Sequence, residues 1–224
     1  MGNIFRRILR IGSLNTLKLL NEIFSFPFFK KIRGKIFYFS PHVFSPQFFV
    51  FSSTLFANHL FVPKGANVLD LGTGSGILAI FAAERANQVI ATDISPYAIE
   101  NARINVKINK LSHKIKLHRG YLFRPIHEKY DVILFNPPYF PIKPKTYREA
   151  AWCCGENYVL LKRFLAKVRN YLTSKGIIQI SLSSYMDLNY LRKLFKKNKL
   201  RPILVARKFL FFEIIYIYIL IPEK

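Results

Sequence analysis

The sequence predicts an α/β fold: a mostly parallel sheet with a final antiparallel strand and helices on both faces. Three observations predict it. A short apolar run, Val68-Leu69-Asp70-Leu71, passes directly into a glycine-rich turn, Gly72-Thr73-Gly74-Ser75-Gly76, and then into an apolar helical stretch. Strand-like and helix-like patterns then alternate through residue 198, as they do where helices cover both faces of a sheet. The last two strand patterns, 203–212 and 214–221, have no helix between them and are expected to pair antiparallel.

Length and composition bound the answer. A chain of 224 residues holds one domain with a proper core plus an extension. With 51% hydrophobic residues, 22 Phe and 12 Tyr, it is not a disordered chain. Lys and Arg number 35 against 12 Asp and Glu, a formal charge of +23 that attracts polyanions. A nucleotide-biased genome would also enrich Lys, Ile, Phe, Tyr and Asn without any such partner. The two cysteines, Cys153 and Cys154, are adjacent and have no zinc-type spacing, so they read as buried thiols of a reducing compartment and no metal site is expected. Arg6, Arg7 and Arg10 interrupt the first apolar stretch, which lacks a long apolar core, so no secretory signal is expected. The apolar run at 209–221 is too short to span a bilayer and contains Glu213. A cytoplasmic protein without a transmembrane segment is the expectation.

Taken in order, residues 1–41 read as a basic, amphipathic, helical extension and 42–224 as the main domain. Ile4, Ile8 and Ile11 recur at helical spacing opposite Arg6, Arg7 and Arg10, Gly12 breaks the pattern, and 14–24 reads as a second helix. This face is expected to pack on its own domain; contact of residues 1–35 with an anionic membrane or RNA is the alternative. Residues 52–60 suit a helix capped by a Ser. The strand before the glycine turn follows, and its helix runs to about Arg85. Next come a strand at 88–93, a helix from Pro96 to Asn109 capped by Ser95, a strand at 114–118, and an apolar strand at 130–135. A helix at 157–172, a strand at 176–182 and a basic helix at 187–198 complete the alternation before the final pair.

Ligands of open α/β sheets bind beyond the carboxyl ends of the strands. One such end carries Asp70 and the glycines, whose backbone admits close approach of a ligand. The third glycine of a dinucleotide fingerprint is missing, because Ile77 stands in its place. Another strand end carries Asp93, about 20 residues past Gly72, where a carboxylate accepts bonds from ribose hydroxyls. A further strand ends in Asn136-Pro137-Pro138-Tyr139. Two prolines fix φ and leave backbone acceptors without donors in a rigid turn. With the Asn carboxamide and the Tyr ring beside them, they suit a planar NH2 group held by both hydrogens.

Together, residues 68–76, Asp93 and 136–139 resemble a class I S-adenosylmethionine-dependent methyltransferase that methylates nitrogen. Within that group the chain is most similar, over roughly residues 42–221, to the HemK-type family, which methylates a glutamine side chain of translation release factors. The resemblance implies a Rossmann-like class I methyltransferase sheet, with 42–224 as the catalytic domain. It also implies S-adenosyl-L-methionine as cofactor. Asp70, Gly72, Thr73, Gly74 and Gly76 would form the loop for its methionine part, and Asp93 would take the ribose hydroxyls. Thr54 and Tyr121 would approach the cofactor from either side. Asn136 and the Pro137 carbonyl would hold the substrate nitrogen, with Pro138 stiffening the turn and Tyr139 packing over the nitrogen. The reaction implied is an in-line displacement at the sulfonium methyl. Two departures stand out: Ser52 and Ser53 occupy positions where the family has acids, and Tyr121 replaces an Asp that bonds the adenine amino group. The motif at 136–139 is shared with methyltransferases of adenine N6 and guanine N2. A glutamine amide in a release factor-like protein is therefore the first expectation, and a nucleobase, in RNA before DNA, the alternative. A non-catalytic, basic binding module of the same fold is the third.

Overall fold

The computed structural model describes residues 12, 26–41, 43, 51–210 and 213–223. The helices expected within 4–11 and 14–24 lie outside the described residues. After them, β1 (Phe28–Ile32) and β2 (Lys35–Phe39) form an antiparallel hairpin within the stretch grouped above with the extension. The helix α1 (Phe51–Asn58) follows. Both serines sit inside it, so neither Ser52 nor Ser53 caps it.

The main sheet is built from β3 (Asn67–Leu71), β4 (Gln88–Asp93), β5 (Ile115–Arg119), β6 (Tyr130–Phe135), β7 (Leu172–Ser183), β8 (Leu200–Leu210) and β9 (Glu213–Pro222). Its spatial order is β5-β4-β3-β6-β7-β9-β8. The pairs β3–β4, β3–β6, β4–β5 and β6–β7 are parallel, while β9 runs antiparallel to both β7 and β8. The expected sheet, with its final antiparallel strand, is the one observed.

Between the strands stand α2 (Ile77–Ala82), α3 (Pro96–Ile108), the short α4 (Tyr147–Ala150), α5 (Val159–Lys167) and α6 (Leu188–Lys197). The helix expected over 157–172 is broken into a 3-10 turn, α5 and a second 3-10 turn. Asn157 and Tyr158, with φ of 51° and 58°, prevent one continuous helix. Helices lie on both faces because the inner strands alternate between two cores. Val68, Val89, Val132 and Leu134 point into one core with Phe37, Phe56 and Phe81. Leu69, Ile90, Ile133 and Phe135 point into the other, against Phe164 and Phe195. Burying a Phe such as Phe164 contributes about 2–3 kcal/mol each.

The hairpin is tied to α3 by asparagines at helical spacing. Asn101, Asn105 and Asn109 accept from the backbone N–H of Ser40, Tyr38 and Ile36 and donate back to the carbonyls of Tyr38 and Ile36. Four helical residues rise about 6 Å, close to the roughly 6.7 Å of two strand residues. One helix face therefore serves as the missing neighbour for the edge of β2.

Candidate active site

The carboxyl ends of β3, β4, β6 and β7 open onto one cavity of about 900 Å³. At β3 the chain turns through Gly72, Gly74 and Gly76, all at positive φ (67°, 55° and 84°). Two of these glycines do different jobs. Gly74 borders the cavity, and a Cβ there would meet nothing within 4 Å. Gly76 is not among the cavity-lining residues; it lies against α3, where a Cβ would stand 3.3 Å from that of Ala102.

Asp70 lies beneath the loop, wholly buried. Its Oδ2 accepts from Thr73 Oγ1 at 2.7 Å and from the Ala79 N–H at 3.2 Å. Oδ1 is buried with no protein donor among the described residues. Burial outweighs the hydrogen bonds and pushes the carboxyl up to about 7. Asp93, at the end of β4, bridges two elements. It accepts from the Gly74 N–H at 3.0 Å and from the Ser95 N–H, which opens α3, at 2.9 Å. Its carboxyl is also raised, again by desolvation. Tyr121 is on the cavity wall next to Gly120, whose N–H donates to the Asp93 carbonyl at 2.9 Å. The guanidiniums of Arg124 and Arg163 each stand 5.9 Å from the Tyr121 ring centre, and Arg163 donates to its hydroxyl at 3.3 Å.

Asn136, Pro137, Pro138 and Tyr139 line the same cavity past β6. Asn136 Nδ2 donates to Ser53 Oγ at 3.1 Å, and Oδ1 accepts from the Tyr139 hydroxyl at 2.9 Å and from Ser181 Oγ. The Tyr139 and Ser181 hydroxyls are 3.0 Å apart, so either can turn its proton from Asn136 to the other. Desolvation raises the Tyr139 phenol far above its ordinary value, followed by the negative field of Glu213. The phenol is therefore a neutral hydroxyl.

Thr54 does not line the cavity; its neighbours Ser52 and Ser53 do. Sequence reasoning also passed over Ser181, Ser183 and Glu213. The signal was present in β7, where Gln179, Ser181 and Ser183 alternate with Ile178, Ile180 and Leu182 and are all fully buried. Three polar side chains on one face of a central strand need partners. They find the turn after α1 through the His59 carbonyl and Phe61 N–H, then Asn136 with Tyr139, then Glu213. Cys153 and Cys154 are both buried, and the Cys154 thiol donates to the Phe140 carbonyl at 3.2 Å.

These residues fit S-adenosylmethionine. The loop is open at Gly74, where a ligand can approach bare backbone, and Asp70, which does not itself line the cavity, holds that loop from beneath through Thr73 and the Ala79 N–H. Asp93 keeps carboxylate capacity on the cavity wall for hydroxyl donors.

Comparison with known proteins agrees. The chain is 35% identical over 150 residues to a Methanocaldococcus jannaschii protein provisionally named protein N5-glutamine methyltransferase, covering 64% of this chain and 74% of the relative. It is 48% identical over 77 residues to the ribosomal protein L11 methyltransferase of Geobacillus thermodenitrificans, which is 34% of this chain and 25% of the relative. The chain thus spans most of the first relative and about a quarter of the second. Its fold matches the T. thermophilus 16S rRNA N2 G1207 methyltransferase, solved with AdoMet and guanosine. That match has a TM-score of 0.66 at 18% identity and covers 88% of this chain and 50% of the other. The model of the methyltransferase small domain matches residues 35–208. A glycine loop, an acid after the next strand and a cavity joining both thus belong to a known enzyme type: the chain is a member of the methyltransferase small domain family, an S-adenosylmethionine-dependent methyltransferase.

Proposed function

We propose that the protein transfers a methyl group to the planar NH2 of a glutamine side-chain amide, in a translation release factor or a related protein of the cytoplasm. The observation that carries this reading is the Asn136 carboxamide, held on the cavity wall by Ser53, Tyr139 and Ser181 in the cavity that the glycine loop also lines. The named activity of the M. jannaschii relative supports it. When bound, S-adenosylmethionine supplies a methyl group made electrophilic by its sulfonium. The chain's own residues do the rest. The glycine loop and Asp93 hold the donor, and Asn136 Oδ1 with the Pro137 carbonyl accepts the two N–H bonds of the incoming nitrogen. Orienting that nitrogen is the larger share of the catalysis, and two fixed acceptors also stabilise the positive charge that grows on it. Tyr139 closes one side.

A second reading, a nucleobase amino group (adenine N6 or guanine N2, in RNA before DNA), is favoured by the rim. Arg119 lies over Tyr147, and Arg124 and Arg163 lie over Tyr121, both tyrosines lining the cavity of a chain with a charge of +23. One experiment separates the two. Tritiated methyl transfer into cell extract is run with and without nuclease. Label that survives nuclease and migrates as one protein supports the glutamine reading, and nuclease-sensitive label overturns it.

A further inference from the structure

Glu213 is a carboxylate that neither the cofactor loop nor the Asn136 network uses. It opens β9 and lines the cavity. Its Oε2 accepts from Ser183 Oγ at 2.5 Å, and Oε1 has no protein donor among the described residues. Ser183 is fully buried, and its Oγ also accepts from the Tyr185 N–H at 3.1 Å, so its own proton is committed to Glu213. Tyr185, whose ring stacks on Phe140 at 5.7 Å, lines the cavity beside the carboxylate. The acid is therefore held by a fixed partner on one side and presented to the cavity on the other.

The side chains that anchor Asn136 and Glu213 are neighbours on one strand. Ser181, which bonds Asn136, and Ser183, which bonds Glu213, are two residues apart on one face of β7. That spacing is roughly 7 Å. An extended glutamine side chain places its amide nitrogen about 6 Å from its own backbone nitrogen, given ordinary bond lengths and angles. A glutamine whose NH2 sits at Asn136 thus brings its backbone N–H to the carboxylate. A phosphodiester at the same place would bring a second negative charge to a desolvated acid, which repels it.

Resting on the glutamine reading above, we propose that Glu213, steadied by Ser183, is a substrate subsite that accepts the backbone N–H beside the target amide and so selects peptide over nucleotide. Burial raises the carboxyl of Glu213, with Ser183 opposing, and the Tyr139 phenol is the other titratable group coupled to it. A bond to a charged acceptor in such surroundings contributes roughly 10- to 100-fold to kcat/KM.

The test is a double cycle on the full chain. A short peptide with one glutamine is compared with its ester analogue, in which the backbone N–H of that glutamine is replaced by oxygen. Wild type should lose roughly 10- to 100-fold in kcat/KM on the ester. Glu213→Ala should lose as much on the peptide and nothing further on the ester, while binding S-adenosylhomocysteine as wild type does. Glu213→Gln, which keeps an acceptor without the charge, should fall between them. If the ester costs Glu213→Ala as much as wild type, the subsite is overturned while the glutamine reading stands. If wild type labels RNA and no glutamine peptide, both fall together.

Discussion

The side-chain amide of Asn105 donates to the backbone carbonyl of Ser75 at 2.8 Å, inside the glycine loop. The same side chain holds β2 by accepting from the Tyr38 N–H at 2.6 Å and donating to the Tyr38 carbonyl at 2.9 Å. One buried carboxamide thus joins the N-terminal hairpin to the cofactor loop. Asn109 holds the hairpin in the same manner, but none of its bonds reaches the loop. Asn105→Ala leaves the buried Ser75 carbonyl and the half-buried Tyr38 N–H without this partner, and should raise the Kd for S-adenosylhomocysteine about tenfold. Asn109→Ala should change it less than about twofold. Titration calorimetry on both variants decides, and equal losses would show that the hairpin as a whole, not the Ser75 bond, supports the loop.

A pH signature follows from Asp70. Its carboxyl is raised from 3.8 to about 7 in the folded protein, mainly by desolvation. Between those values the folded state holds a proton that the unfolded state has released. Stability therefore falls as pH rises through this window, by about 1.4 kcal/mol per unit at full slope, and levels off above about 7. Asp70→Asn removes this dependence while keeping an acceptor for Thr73 and Ala79. Urea unfolding of both proteins at pH 5, 6 and 7 should show the variant gaining on wild type at each step. A constant difference would mean that Asp70 ionises in the folded state as it does in the unfolded chain.

Most strand positions along the chain were legible because their cause is local. Apolar alternation, the glycine turn and the Pro96 helix start all act within a few residues, and 88–93 and 130–135 are strands with those same bounds. The hairpin was not, because much of what holds β2 is side chains about 60–70 residues away in α3. The site divides along the same line. Asp93 and Asn136 lie at strand ends, where topology places ligands, whereas Ser53 and Ser181 join Asn136 across 83 and 45 residues of chain, and Glu213 reaches Ser183 across 30. Thr54, which only the family resemblance implied, stands one position past the two serines that line the cavity. Gly76 looked like a ligand glycine but serves the packing of the loop on Ala102.

Tyr121 stands where an acid is expected, and the structure gives its ring two cationic neighbours. Its hydroxyl accepts from Arg163 over 3.3 Å, a long bond, so the ring carries more of the contact than the oxygen does. Tyr121→Phe should alter the Kd for S-adenosylhomocysteine by less than about threefold. Tyr121→Ala removes a cavity wall and frees two guanidiniums, and should weaken binding about tenfold. A Phe variant as impaired as the Ala variant would assign the role to the hydroxyl instead.

Asn136 offers the sharpest test of the chemistry. Its Oδ1 has two lone pairs, and the Tyr139 and Ser181 hydroxyls take both. Those hydroxyls also lie 3.0 Å from each other, so when Tyr139 turns its proton to Ser181, one lone pair becomes available to a substrate N–H. No buried group loses its partner in the exchange. Asn136→Ala removes the acceptor and leaves the glycine loop and Asp93 intact. Methyl transfer should fall by roughly a hundredfold or more, the usual cost of losing a fixed group that stabilises developing charge. S-adenosylhomocysteine affinity should stay within about threefold, since the bonds of the loop do not involve Asn136. Ser181→Ala leaves Oδ1 one donor short but keeps the carboxamide in place through Ser53, and should cost about tenfold in kcat. Single-turnover rates with saturating cofactor separate the two effects: a rate for Asn136→Ala equal to that of wild type would remove Asn136 from the reaction.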